Sequence, residues 1–117
     1  MREPIRDIER LNHILDFIES LLEFRTKHTL EELLSDKVIF YGVVKEVEMI
    51  GEAAYQLSND FRESHPEVPW RVIINMRHVL VHGYYQISPE KLWGTVIHDI
   101  DALRPHIERY IKELGVD

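Results

Sequence analysis

The chain has no cysteine among its 117 residues. This excludes disulfide frameworks, cysteine-ligated zinc, iron–sulfur clusters and thiol catalysis, and it suits a reducing compartment such as the cytoplasm. Long apolar runs are also missing. The longest, Val38 to Val44, falls far short of the ~20 residues a membrane helix needs. Met1 to Asp7 carries charges with no apolar stretch behind them, so no secretory signal is expected there. Basic residues are in the minority, 14 Lys and Arg against 21 Asp and Glu, for a net charge of −7. Bulk electrostatic attraction to nucleic acid is therefore disfavoured. A composition of 44% apolar and 30% charged residues is that of a single globular domain, residues 1–117, long enough to bury a core without covalent staples.

One absence is local. Between Glu67 and Glu90 lie 22 residues without an Asp or Glu, a stretch that holds Arg71, Arg77, His78 and His82. With histidine neutral, this window carries +2 and the remainder −9. An acidic chain thus contains one segment suited to an anionic ligand, although a helix buried on most sides also carries few charges.

The periodicity is helical throughout. Ile5, Ile8, Leu11, Ile14, Leu15, Ile18, Leu21 and Leu22 recur every three to four positions, the stripe of an amphipathic helix. Thr29 with Glu32 forms a capping box for a short helix through Leu34, and Asp36 can cap the next. That helix carries Phe40, Val43, Val44, Val47, Ile50, Ala54, Leu57 and Phe61 on one face, about seven turns by the spacing. His65-Pro66-Glu67-Val68-Pro69 breaks the chain, and Pro69 starts a third helix with Trp70, Ile73, Ile74, Met76 and Leu80 that Gly83 ends. Ser88-Pro89-Glu90 opens a last helix through Leu114, with Pro105 inside it as a kink and Gly115 as its C-cap. With no strand pattern or repeat, the fold class is all-α, an antiparallel bundle of four to five helices.

Three local features bear on chemistry. Arg77 offers a permanently charged fork for phosphate oxygens, and His82 can exchange a proton near neutral pH. The pair could cleave RNA without metal, the histidine moving a proton and the arginine stabilising charge at phosphorus. On a regular helix, however, five residues place them about 140° apart, so the pair works only if the helix distorts or two chains meet. The alternative is an ordinary helix end, where the dipole favours histidine. His78 and His82 share a face at i,i+4 and could bind zinc, but the position of a metalloprotease glutamate is Val79 and no third ligand is evident. No metal or cofactor is expected. Gly51, costly by ~1 kcal/mol mid-helix, suggests a close helix approach. Glu52 beside it either orients an arginine or histidine of the motif segment or is simply exposed.

Tyr41 to Ala54, with Ile50-Gly51-Glu52-Ala53 at its centre, then Pro66-Glu67-Val68-Pro69-Trp70, then Met76-Arg77 through His82-Gly83-Tyr84 resemble the HepT-like branch of the HEPN superfamily. The likeness runs essentially from end to end. It implies an all-α homodimer whose Arg-x4-His-x-Tyr motifs face each other in a cleft, which answers the 140° problem. It further implies a metal-independent ribonuclease toxin, paired with a minimal nucleotidyltransferase (MNT) antitoxin that transfers AMP from ATP to the motif tyrosine. By that resemblance Arg77 and His82 are the catalytic pair and Tyr84 is the modification site, with Tyr85 adjacent; His78 and Glu52 are the candidate supporting residues read from the sequence itself. The departure is His78, where the family commonly carries asparagine; histidine can imitate its donor and acceptor or add a titrating group. The rival expectation is a non-catalytic binding subunit that partners a nucleotidyltransferase.

Overall fold

The computed structural model describes residues 3–83 and 86–115, with side chains from Asp7 onward. Seven α-helices follow in order: α1 Glu3–Lys27, α2 Leu30–Ser35, α3 Lys37–Gln56, α4 Asn59–Ser64, α5 Trp70–His82, α6 Pro89–Gly94 and α7 Ile100–Gly115. Thr95–Asp99 forms a π-helical turn between α6 and α7. No strand occurs among the described residues, and no helix there is long and apolar enough to cross a membrane.

Short-range chemistry sets most helix ends. Thr29 accepts from the Glu32 amide while Glu32 accepts from the Thr29 amide at 2.9 Å, the reciprocal capping box that starts α2. Asp36 ends α2 and caps α3, its carboxylate accepting from the amides of Val38 and Ile39. Ser88 caps α6 ahead of Pro89, and Gly83 follows the last residue of α5. Each arrangement satisfies amides or carbonyls that a helix end leaves without partners.

The long second helix expected through Phe61 is instead two helices. It stops at Gln56, and Ser58 caps the separate α4. Asp7, a buried acid at 4% exposure, makes the break: its two carboxylate oxygens accept from the Ser58 amide at 2.8 Å and the Ser58 hydroxyl at 2.7 Å. The apolar stripe continues across the break because Leu57 and Phe61 are both buried. Periodicity therefore stays intact where the helix does not.

Helix α1 is the centre of the bundle, packing on α3 and on α7. The Asp7–Ser58 link joins the start of α1 to the end of α3, so those two run antiparallel. Arg104 reaches Glu19 and Arg25 reaches Asp101, making α7 antiparallel to α1 as well. Leu11, Ile14, Ile18, Leu21, Val96 and Ile107 fill the interior, each essentially inaccessible. The final helical segment continues through Pro105, and its irregularity lies earlier, in the π turn. There the Ile100 amide reaches the Thr95 carbonyl, and Arg25 donates to the Ile97 carbonyl at 2.9 Å. A distant guanidinium thus satisfies a carbonyl at the irregular turn.

Helix α5 packs mainly on α3. The loop before it is clasped to α7: Glu67 accepts from the buried Tyr110 hydroxyl at 2.7 Å and from Arg109 at 3.3 Å. Trp70 donates its indole N–H to the His65 carbonyl, and Phe61, stacked on His65, packs with Trp70 and Tyr110 at tilted and edge-on angles in one aromatic cluster. Burial, then the Glu67 hydrogen bond, pushes the Tyr110 phenol well above its ordinary range. The same hydrogen bond holds the Glu67 carboxyl below its ordinary value.

Candidate active site

At Gly51, α3 and α5 are in close backbone contact. A Cβ on Gly51 would collide with the Cβ of Arg77 and press on the Ile73 carbonyl at 3.0 Å. Only a hydrogen at this position lets the two backbones approach, as the mid-helix glycine suggested. The consequence is chemical as well as steric. One residue on, Glu52 Oε1 meets Arg77 Nε at 2.8 Å, with each side chain about one-third exposed. Gln56 donates to the other Glu52 oxygen at 3.0 Å. Glu52 is thus in contact with the motif arginine rather than simply exposed. The ion pair uses Nε, while the outward edge of a guanidinium carries further donors suited to a phosphate.

Helix α5 stays regular through His82 and ends at Gly83, whose amide reaches the Val79 carbonyl at 2.7 Å. Arg77 and His82 therefore remain about 140° apart around the helix. Arg77 faces α3 and Glu52. His82 is exposed on the far side, with its ring 4.5 Å from that of His78. The structure brings Arg77 and Glu52 together and, separately, His78 and His82, but does not close one site from a single chain. Tyr84 and its neighbour Tyr85 lie outside the described residues. Among the described residues, no group of three His, Asp or Glu side chains is placed to hold a metal ion.

Between the side that carries His82 and the side that faces α3, α5 also presents an apolar face. Val72 is 61% and Val79 51% exposed. Together with Met76 they follow the i, i+4, i+7 spacing of one helix face. The neighbouring face, Arg71, Asn75 and His78, lines a groove of about 1010 Å³ that α5 shares with the end of α3 and with α4. Tyr55 stands at its edge, half-exposed, with the Arg77 Cζ 5.9 Å from its ring centroid. Sequence reasoning did not single out Tyr55. The available signal was its place three residues after Glu52, one helical turn along the same stretch.

Comparison with known proteins decides the family. The profile described as Ribonuclease HepT-like matches residues 14–110. The chain belongs to the ribonuclease HepT-like family. A Thermococcus cleftensis protein named "Probable ribonuclease HepT" is 38% identical over 102 residues, covering 87% of this chain and 93% of that one. Proteins of Methanocaldococcus jannaschii and Caldanaerobacter subterraneus, both provisionally named as RNases, are 35% and 36% identical. Those matches cover 88% and 89% of this chain and 95% and 89% of the relatives. No solved structure matches the chain. HepT-like membership supports a ribonuclease of the HEPN type on an all-α bundle.

Proposed function

We propose that this HepT-like chain acts as a homodimer, in the cytoplasm, as a metal-independent ribonuclease toxin held in check by a nucleotidyltransferase of the MNT type. The observation that carries the reading is the division of labour around α5. Arg77 is oriented by Glu52 on one side, while His82 stands exposed on the other, one turn from uncovered Val79 on a helix that also leaves Val72 uncovered. A second copy packed on that apolar face by a two-fold axis would bring the histidines of both chains toward a shared cleft. His82 would remove the proton of a ribose 2′-hydroxyl, whose oxygen attacks the adjacent phosphorus. The bond to the 5′-oxygen breaks, that oxygen takes a proton from the histidine of the other copy, and a 2′,3′-cyclic phosphate remains. Arg77 stabilises the charge that builds on the phosphoryl oxygens. His78, in ring contact with His82, supports its orientation.

The antitoxin's step would join the α-phosphorus of ATP to the hydroxyl of Tyr84, or of Tyr85, and release pyrophosphate. The added AMP places negative charge and bulk next to the cleft, opposing the RNA backbone. The second reading is a binding subunit that partners a nucleotidyltransferase and cuts nothing, favoured by the net charge of −7 and by the ion pair already engaging Arg77.

RNA cleavage in EDTA separates the two readings. Unmodified parent, verified by intact mass, should cut RNA, and His82→Ala should lower the rate by ~10²–10⁴-fold. An unmodified dimer that leaves RNA intact would establish the binding subunit instead. A monomer by light scattering at micromolar concentration would remove the composite site.

A further inference from the structure

The groove beside Arg77 has a use beyond the cleavage step. We propose that it is a track for single-stranded RNA, in which Arg62 and Arg71 hold backbone phosphates and Tyr55 stacks the base next to the scissile phosphate. The inference rests on the ribonuclease reading and names where its substrate lies.

Charge is the first argument. Arg25, Arg77, Arg104 and Arg109 each lie within 4 Å of a carboxylate. Arg62 and Arg71 make no such pair among the described residues, and Arg62 reaches only the side-chain oxygen of Asn59. Both line the groove, where Glu63 is the one acidic residue. In a chain of net charge −7, unpaired guanidinium groups gathered on one concave surface are an anion-binding arrangement.

Shape and placement supply the second. The groove measures about 1010 Å³, at the upper limit of ~300–1,000 Å³ for small-ligand pockets, and it is an open trough rather than a closed cavity. It runs along Arg71, Asn75 and His78 on α5 and arrives at Arg77. Tyr55 is 54% exposed and adjoins the Arg77 guanidinium. A base resting on its ring would set the neighbouring phosphate against the motif arginine. Stacking of this kind needs unpaired bases, because every base has a π-face but a duplex hides it.

A second copy is a poorer occupant of this groove. The apolar face, Val72 and Val79, is turned roughly 80–100° around α5 from Arg71, so a copy packed on it adjoins the groove without filling it and leaves the Arg71, Asn75, His78 and His82 side open to a strand. Two copies joined groove to groove would set arginine against arginine.

The test uses an oligoribonucleotide with every 2′-hydroxyl methylated, which binds but cannot be cut, so the groove is read independently of the chemistry. Fluorescence anisotropy of the full chain across a salt series should give a slope of log affinity against log salt. The Arg62→Ala/Arg71→Ala variant should flatten that slope by about 1.4, from ~0.7 per phosphate contact on a single strand. Lysine at both positions should restore it. Tyr55→Ala should weaken binding about 5- to 140-fold, while Tyr55→Phe keeps it.

An unchanged slope in the double alanine variant would overturn the track even if the parent cleaves RNA. So would a parent that fails to bind the methylated strand, or a duplex of the same sequence bound as tightly as the single strand. Loss of the dimer in the double variant would make the groove a contact between copies and overturn it equally. A parent that binds with the expected slope but never cuts RNA would leave the track standing and remove the nuclease.

Discussion

The two ends of α5 are built on opposite terms. Its first residue, Trp70, is buried, its indole N–H satisfied, and the loop leading to it is tied to α7 through Glu67, Tyr110 and Arg109. Its last turn exposes His78, Val79, Val81 and His82, and Gly83 ends it by donating its amide to the Val79 carbonyl. One end is anchored and the other is presented. A helix held this way keeps a fixed direction and register where it enters the bundle and leaves its last turn exposed. The contrast explains why Arg77, halfway along, is already oriented within one chain, whereas His82 is not.

The largest effect should appear at the anchored end. Tyr110→Ala should cost about 3–5 kcal/mol of stability in denaturant unfolding, the range for deleting a buried ring. His82→Ala, at the presented end, should change stability by no more than ~0.5 kcal/mol and leave its mark on cleavage. Equal losses at the two sites would erase the contrast.

Gly51→Val tests the mid-point. Overpacking of this sort costs about 1–3 kcal/mol, and here the strain falls directly on the Cβ of Arg77. Displacing that guanidinium should lower cleavage more than the lost stability accounts for. A variant with parental activity would show that the close approach of α3 and α5 does not position the arginine.

The smallest effect is a pH dependence. Glu67 has a folded-state pKa below its ordinary value, chiefly through the Tyr110 hydrogen bond. Its contribution is therefore fully present above the unfolded value of ~4.3 and is lost as pH falls through the lower, folded one. The stability gap between the parent and Glu67→Gln should hold steady near neutrality and narrow below about pH 4. A gap that stays constant down to pH 2 would mean that the carboxylate charge plays no part in the clasp.

Much of this was legible in the residues. The capping box at Thr29 and Glu32, the Asp36 cap, the Ser88-Pro89 start and the Gly83 stop all depend on neighbours within four positions, so a linear reading finds them. Arg77, His82 and Gly51 stood out for their chemistry and their cost. The break at Leu57 and Ser58 did not, because its cause, Asp7, lies 51 residues away. Nor did the burial of Tyr110, three residues after the buried Ile107, because its polar tip masks a ring that the Glu67 bond allows to be buried.

Helix content, most boundaries and the separation of Arg77 from His82 around α5 follow from local propensity, capping and the 3.6-residue turn. The partner of Glu52, the split between α3 and α4, and the π turn held by Arg25 depend on which distant side chains packing brings into reach. Each resolves a buried or partly buried polar group whose best partner lies on another helix, and no periodicity along the chain encodes which one that is.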